Sequence, residues 1–278
     1  MSAESEPITV AVTGGAGMMA TLLRPHLREA GYAVRLIDIA EPASPAPSES
    51  VLVGSVDDIA FMTEALADVD AVIHLGGIHR EKPWDDIVRT NITGTQVTLE
   101  AARSNGVSRV LLASSTHAVG FTPTAEAARD HALPPRPDTY YGVSKAAMEA
   151  LGGLYADKFG MKVVSARIGT GGERPGNTRS LSSWLSPGDS FRLVEATLSE
   201  KGAPGHHVVW AVSNNTRGWA DLSAGKRIGF EPLDDAEDYA DQVPADPVPA
   251  DWDGLLGGFW ASSSHRLGVD NYPELELK

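Results

Sequence analysis

The 278-residue chain contains no cysteine. That removes disulfides, thiolate nucleophiles and thiolate-bound zinc from consideration, and it fits a reducing compartment. Positive charge is scarce: 23 Lys and Arg stand against 37 Asp and Glu, a formal net charge of −14. So acidic a surface disfavours nucleic acid and anionic membranes as partners. It does not exclude an anionic substrate, because one arginine at contact outweighs a screened global field. No apolar run approaches the roughly 20 residues that span a bilayer, and Met1–Pro7 lacks the charged and apolar regions of a secretion signal. The expectation is a cytoplasmic protein acting on small molecules, with no nucleic acid, membrane or metal among its partners.

Hydrophobic residues make up 42% of the chain, enough to bury a substantial core. They fall into alternating short apolar runs and helical patterns. Ile8–Thr13, Ala33–Ile39, Val51–Val53, Ala71–Leu75, Arg109–Ser114 and Lys162–Ile168 read as buried strands. Gly17–Ala30, Asp57–Leu66, Trp84–Asn105 and Tyr140–Phe159 read as helices between them. Strands alternating with helices imply an α/β fold, a Rossmann-type doubly wound parallel sheet. After Gly169 the alternation breaks. Pro187–Glu200 suggests a helix, Val208–Val212 a late strand, and the acidic, proline-rich Asp234–Asp253 a surface stretch or tail. The whole reads as one domain, with a dinucleotide-binding core in 1–168 and a small substrate-binding region and tail in 169–278.

The segment Val12-Thr-Gly-Gly-Ala-Gly17 leaves the first strand and opens the first helix. Glycines there allow a tight turn and close approach to a pyrophosphate, which the free N–H groups of the helix N-terminus then receive. Gly14 and Gly17 fit a T-G-x-x-G-x-x-G pattern whose third glycine is Ala20, still small enough for helix–strand packing. A glycine-rich turn alone marks no more than a tight βα connection; the strand–turn–helix context makes it a phosphate loop. Asp38 ends the second strand, where a carboxylate accepts hydrogen bonds from ribose hydroxyls and repels a 2′-phosphate. Ala40 and Glu41 follow it rather than Arg or Lys, which favours NAD over NADP.

Tyr141-Gly-Val-Ser-Lys145 carries the chemistry. Tyr141 and Lys145 are four residues apart on a helix and share a face. A phenol is a poor base at neutral pH, and a nearby ammonium stabilises its phenolate. Ser115 ends the fifth strand, on the sheet edge where open α/β sheets bind ligands, and its hydroxyl can orient a reacting C–OH beside Tyr141. Asn91, on the preceding helix, could hold a water near Lys145. A lone Y-x-x-x-K usually marks two surface residues; here a phosphate loop and a serine-ended strand precede it, which favours a functional pair.

These elements resemble the extended short-chain dehydrogenase/reductase superfamily over nearly the whole chain. His74-Leu-Gly-Gly77 is similar to the family's fourth-strand segment. The resemblance implies cofactor contacts from Gly14, Gly17, Met18, Met19, Asp38, Ser55, Val56, Leu75, Gly76, Gly77, Asn91, Tyr141 and Lys145. Within the superfamily the chain looks like the uronate dehydrogenase branch. The features are Gly76-Gly-Ile78 with Glu81-Lys-Pro83, Ser114-Ser-Thr-His117, Arg167-Ile-Gly169, Arg179 before Ser183-Trp-Leu185, and Val208-Val-Trp210. Members oxidise C1 of a cyclic hexuronic acid with NAD.

By that resemblance Tyr141 is the base, Arg179 clamps the C6 carboxylate, and His79, Ser115, Thr116, His117 and Thr170 lie against the sugar. The alternative for Arg179, a surface arginine in a polar loop, is the lesser reading, and His117 is assigned to binding alone. Three positions depart from the branch: Thr116 replaces an amide, His79 a serine, and Ser55 an acidic residue on the adenine side. A sugar-phosphate 1-dehydrogenase of the haloarchaeal glucose-6-phosphate type resembles the same branch. A sugar-nucleotide epimerase or dehydratase needs a larger C-terminal part, and a dinucleotide-sensing protein needs no Tyr/Lys pair. Pairing of copies through the two long helices is expected by analogy with many relatives.

Overall fold

The computed structural model describes residues 7–128, 133–199, 204–244 and 254–269. Strands β1 (Thr9–Thr13), β2 (Ala33–Asp38), β3 (Glu49–Val53), β4 (Ala71–His74), β5 (Arg109–Ser115) and β6 (Lys162–Ile168) are all parallel. Two short strands, β7 (Thr170–Gly171) and β8 (Trp184–Leu185), pair apart from them. The last strand, β9 (Gly205–Ala211), joins the main sheet beside β6. The order β3-β2-β1-β4-β5-β6-β9 reverses direction between β1 and β4. Such a reversal opens a crevice at the carboxyl ends of the strands.

Alternation along the strands supplies both faces of the sheet. Val10 and Val12 of β1, Leu111 of β5 and Val164 of β6 join one buried cluster. Ala11, Val110, Leu112 and Val163, each one residue out of phase, join the other. Helices α1 (Met18–Glu29) and α2 (Ile59–Ala65) cover opposite faces. The side chain of Asp58 caps α2, accepting from Ala60 and Phe61 N–H.

The run from Trp84 to Ser104 is helical as expected, but it is not one α-helix. It comprises α3 (Trp84–Ile87), a π-helical segment Val88–Thr93 and α4 (Gly94–Ser104). A π turn carries an extra residue, and Asn91 sits inside this one. A helical turn, α5 (Thr124–Ala127), precedes α6 (Tyr140–Phe159). The side chain of Thr139 caps α6 by accepting from Gly142 N–H. Helix α7 (Pro187–Leu198) starts on Ser186, with proline in its first turn, and packs against α1. The sequence reading carried it to Glu200, which lies outside the described residues.

The second half contributes to the sheet through β9, and a short helix, α8 (Ser223–Arg227), packs against that strand. The expectation of a solvated stretch over Asp234–Asp253 does not hold for its first part. Ala236 is fully buried with Leu181 and Trp184. The acidic residues there are bonding partners: Asp235 accepts from the N–H of Thr216 and Glu237, and Asp234 faces Arg192. Residues 245–253 lie outside the described residues. No described helix is long and apolar enough to cross a membrane.

Candidate active site

A single cleft of about 900 Å³ runs over the carboxyl ends of the strands. At one end are the turn after β1 and the tip of β2. Gly14 has φ +70°, and a Cβ there would stand 2.8 Å from the Leu75 carbonyl carbon, so the turn needs glycine. Met18 and Met19 open α1 beside it, and Gly17 N–H bonds back to Gly14 O. Asp38 is held at both oxygens: Oδ2 accepts from Ala16 N–H at 3.0 Å and Oδ1 from Ala40 N–H at 3.2 Å. Its carboxylate therefore stands fixed over the loop, with lone pairs left for hydroxyl donors. Ser55, Val56, Leu75, Gly76 and Gly77 complete this end. Ser55 Oγ donates to Asp57, which also lines the cleft, so an acidic group stands two residues from the expected position. A glycine-rich turn, a helix N-terminus and an anchored carboxylate fit the pyrophosphate and ribose of NAD.

The middle of the cleft holds Ser115, Tyr141 and Lys145. Buried Ser114, next to Ser115, donates to Glu149 of α6 at 2.6 Å. Glu149 also pairs with Arg167 of β6 at 2.8 and 2.9 Å. This ion pair ties α6 to the sheet and sets Tyr141 opposite Ser115, with which it shares a hydrogen bond. At the start of α6, Tyr141 N–H donates to Glu81 Oε2 at 3.0 Å, and Glu81 Oε1 accepts from Gly268 N–H at 2.8 Å.

The expected lowering of the Tyr141 pKa by Lys145 is absent. Burial pushes the phenol up to about 12, the Ser115 hydrogen bond acts downward, and Asp138 adds to the rise. Burial also pulls Lys145 down to about 8. The reason is geometric: Lys145 Nζ donates to Ala113 O at 2.7 Å and stands 5.4 Å from the centroid of the Tyr141 ring.

Every site residue named from the sequence lines this one cleft except Asn91. Asn91 is fully buried, and its amide is committed elsewhere. Its Oδ1 accepts from Ile78 N–H, and its Nδ2 donates to Ile78 O and to Ser144 Oγ. Instead of facing a water beside Lys145, the side chain pins the segment after β4 to the catalytic helix.

A directed chain of hydrogen bonds leads into it. Thr95 Oγ1 donates to Asn91 O at 2.6 Å, so toward His74 Nε2, 3.3 Å away, it can only accept, and the neutral ring carries its proton there. His74 Nδ1 then accepts at 2.8 Å from Thr13 Oγ1, which itself accepts from Gly76 N–H at 3.0 Å. His74 is fully buried and held neutral: burial, with Lys145 adding to it, pulls its pKa down to about 3.

The far end of the cleft carries His79, Thr116, His117, Thr170 and Arg179. Thr170 Oγ1 stands 3.0 Å from Ser183 Oγ. Arg179 Nη2 donates to Leu256 O at 2.6 Å, which sets the plane of a guanidinium that belongs to the cleft wall. Partial burial and the cations Arg80 and Lys145 lower the pKa of His79 and favour the neutral ring.

The sequence reading gave no site role to three side chains, although it quoted Glu81 among the features of the resemblance. Asp138 bonds His117, Trp260 stacks on His117, and Glu81 holds the N-terminus of α6. The Asp138-Thr139 pair before an apolar helix is a capping signal that points to the first. Nothing local marks Trp260.

The profile of the NAD dependent epimerase/dehydratase family matches residues 10–185. A uronate dehydrogenase from Pseudomonas syringae pv. tomato is 39% identical over 91% of this chain and 92% of its own. An NAD-dependent glucose-6-phosphate dehydrogenase from Haloferax volcanii is 34% identical over 83% of this chain and 95% of its own. Among solved structures, a mutant uronate dehydrogenase from Agrobacterium tumefaciens complexed with NAD superposes with a TM-score of 0.85. It is 34% identical, over 94% of this chain and 99% of its own.

Proposed function

The chain belongs to the NAD dependent epimerase/dehydratase family, and from that premise we propose that it oxidises C1 of a cyclic hexuronic acid, glucuronate or galacturonate, to the 1,5-lactone with NAD. The observation that carries the reading is the layout of the cleft. An anchored carboxylate for ribose, a Ser115–Tyr141–Lys145 group and an arginine all line one cleft.

In this reading the C1 hydroxyl enters between Ser115 and Tyr141. Ser115 orients it, and Tyr141 takes its proton as the C1–H bond breaks. NAD, when bound, would supply the hydride acceptor and a positive charge, which would act against the burial that keeps Tyr141 protonated. Lys145, held by Ala113 O, steadies the ribose side of the cleft. Arg179 receives the C6 carboxylate as a two-pronged donor and so fixes which carbon faces Tyr141. Asp38 favours NAD by repelling a 2′-phosphate. The cytoplasm as location and a homo-oligomer paired through the long helices belong to the same reading; Leu154 and Phe159 on α6 are exposed.

The test is NADH absorbance with D-glucuronate, D-galacturonate, glucose and glucose 6-phosphate, each with NAD and NADP. Turnover of the uronates with NAD supports the reading. Turnover of glucose 6-phosphate alone would overturn the uronate assignment and make Arg179 a phosphate ligand.

A further inference from the structure

We propose that Asp138 is a positioning residue that fixes His117 as a hydrogen-bond acceptor for one sugar hydroxyl, with Trp260 holding the ring in plane. The inference rests on the uronate reading and deepens it. His117 Nδ1 lies 2.8 Å from Asp138 Oδ2, and the Asp138 side chain is fully shielded from solvent. An ionised carboxylate only accepts hydrogen bonds, so the His117 proton sits on Nδ1. The neutral ring then offers its Nε2 lone pair, and His117 lines the cleft beside Ser115 and Tyr141.

The orientation is fixed from two further sides. Trp260 stacks on His117 with ring centroids 4.3 Å apart and planes at 24°, and the edge of Tyr141 closes on both rings at 5.8 Å. Asp138 is itself tightly enclosed. Thr139 Oγ1 donates to Oδ1 at 3.1 Å, and a Cβ at either Gly120 or Gly257 would overlap Oδ2. The loop before α6, the turn after His117 and the C-terminal segment thus converge on one carboxylate. Fixing the tautomer sets the specificity: an acceptor at Nε2 selects a group that can donate, which a hydroxyl does and a fluorine does not.

Two measurements test this on the full-length protein. Imidazole 15N shifts, recorded about two pH units above the ordinary histidine value of about 6.5, report the tautomer. His117 is picked out of the eight histidines by its loss in His117→Gln. The expected result is the Nδ1–H form in the wild type and the Nε2–H form in Asp138→Asn, whose amide can donate to Nδ1. An Nε2–H or doubly protonated His117 in the wild type overturns the proposal.

The second measurement is kcat/KM for 2-, 3- and 4-deoxyfluoro hexuronates. The expected result is that one position costs the wild type at least about tenfold. That penalty shrinks in Asp138→Asn while NAD affinity, read by fluorescence, stays unchanged. Equal penalties in the two proteins overturn the proposal. If Asp138→Asn does not fold, His117→Gln carries the kinetic arm: the proposal requires loss of discrimination at that one position, and retained discrimination overturns it. If the wild type turns over no hexuronate while His117 shows the Nδ1–H form, the substrate reading fails and the positioning of His117 by Asp138 stands.

Discussion

Asn91 holds the backbone of Ile78 at both ends, accepting from its N–H at 2.7 Å and donating to its carbonyl at 2.9 Å. Ile78 belongs to the same short segment as Gly76 and Gly77, which line the cofactor end of the cleft. Asn91→Leu would strand both backbone groups and remove the bond to Ser144. The expected loss is about 1 kcal/mol for each stranded half-buried group, read from urea unfolding, together with weaker NAD binding. Unchanged NAD affinity in a destabilised variant would limit Asn91 to a structural role.

Tyr141→Phe keeps the ring and its packing against His117 and Trp260. Loss of the acid–base group is expected to lower kcat by about 10²–10⁴-fold with NAD binding intact. Retained turnover would move the proton acceptor elsewhere.

Arg179→Lys preserves the charge but not the planar fork. The expected outcome is a KM for uronate raised on the order of tenfold or more, with a smaller change in kcat, because a point charge does not replace a bidentate donor. Steady-state kinetics on both uronates measures it. A rise in KM for NAD instead would place Arg179 at the cofactor.

His74 makes stability depend on pH in a defined window. Its pKa in the fold is about 3, against an ordinary value of 6.5. As pH falls below 6.5 the unfolded chain takes up a proton that the fold refuses. The stability present above that value is lost on acidification, at up to roughly 1.4 kcal/mol per pH unit. Glu49 adds the same sign lower down. Burial raises its pKa, but hydrogen bonds from Arg24, Ala46 and Arg28 outweigh that and hold it at about 2, against an ordinary 4.5. His74→Gln is expected to flatten the unfolding curve between pH 6.5 and 4.5. Parallel curves for variant and wild type would show a charged His74 in the fold.

What the sequence made legible was local. The strand runs, the phosphate loop, Asp38 and the Tyr141/Lys145 spacing each declare themselves within about a dozen residues. The π segment was not visible, because its residues continue the apolar pattern of the α-helix around them and the difference lies in the backbone bonding. Asp138 and Trp260 were not visible as site residues, because their meaning depends on His117, which the fold brings to them. The reading of Tyr141 as a readily ionised phenol failed for a related reason: spacing gives the shared face of Tyr141 and Lys145, but not the burial that raises one pKa and lowers the other.

The segment from Leu255 to Gly268 reaches far back along the chain. Leu256 takes a bond from Arg179, 77 positions earlier, and Gly268 gives one to Glu81, 187 positions earlier. A ribosome delivers this segment after the whole sheet. A nascent chain that has formed β1 through β9 owns its dinucleotide cradle but has no Trp260 against His117 and no carbonyl to orient Arg179. In the order of synthesis a dinucleotide cradle therefore precedes a complete sugar site, which waits for the segment that carries Trp260 and Leu256.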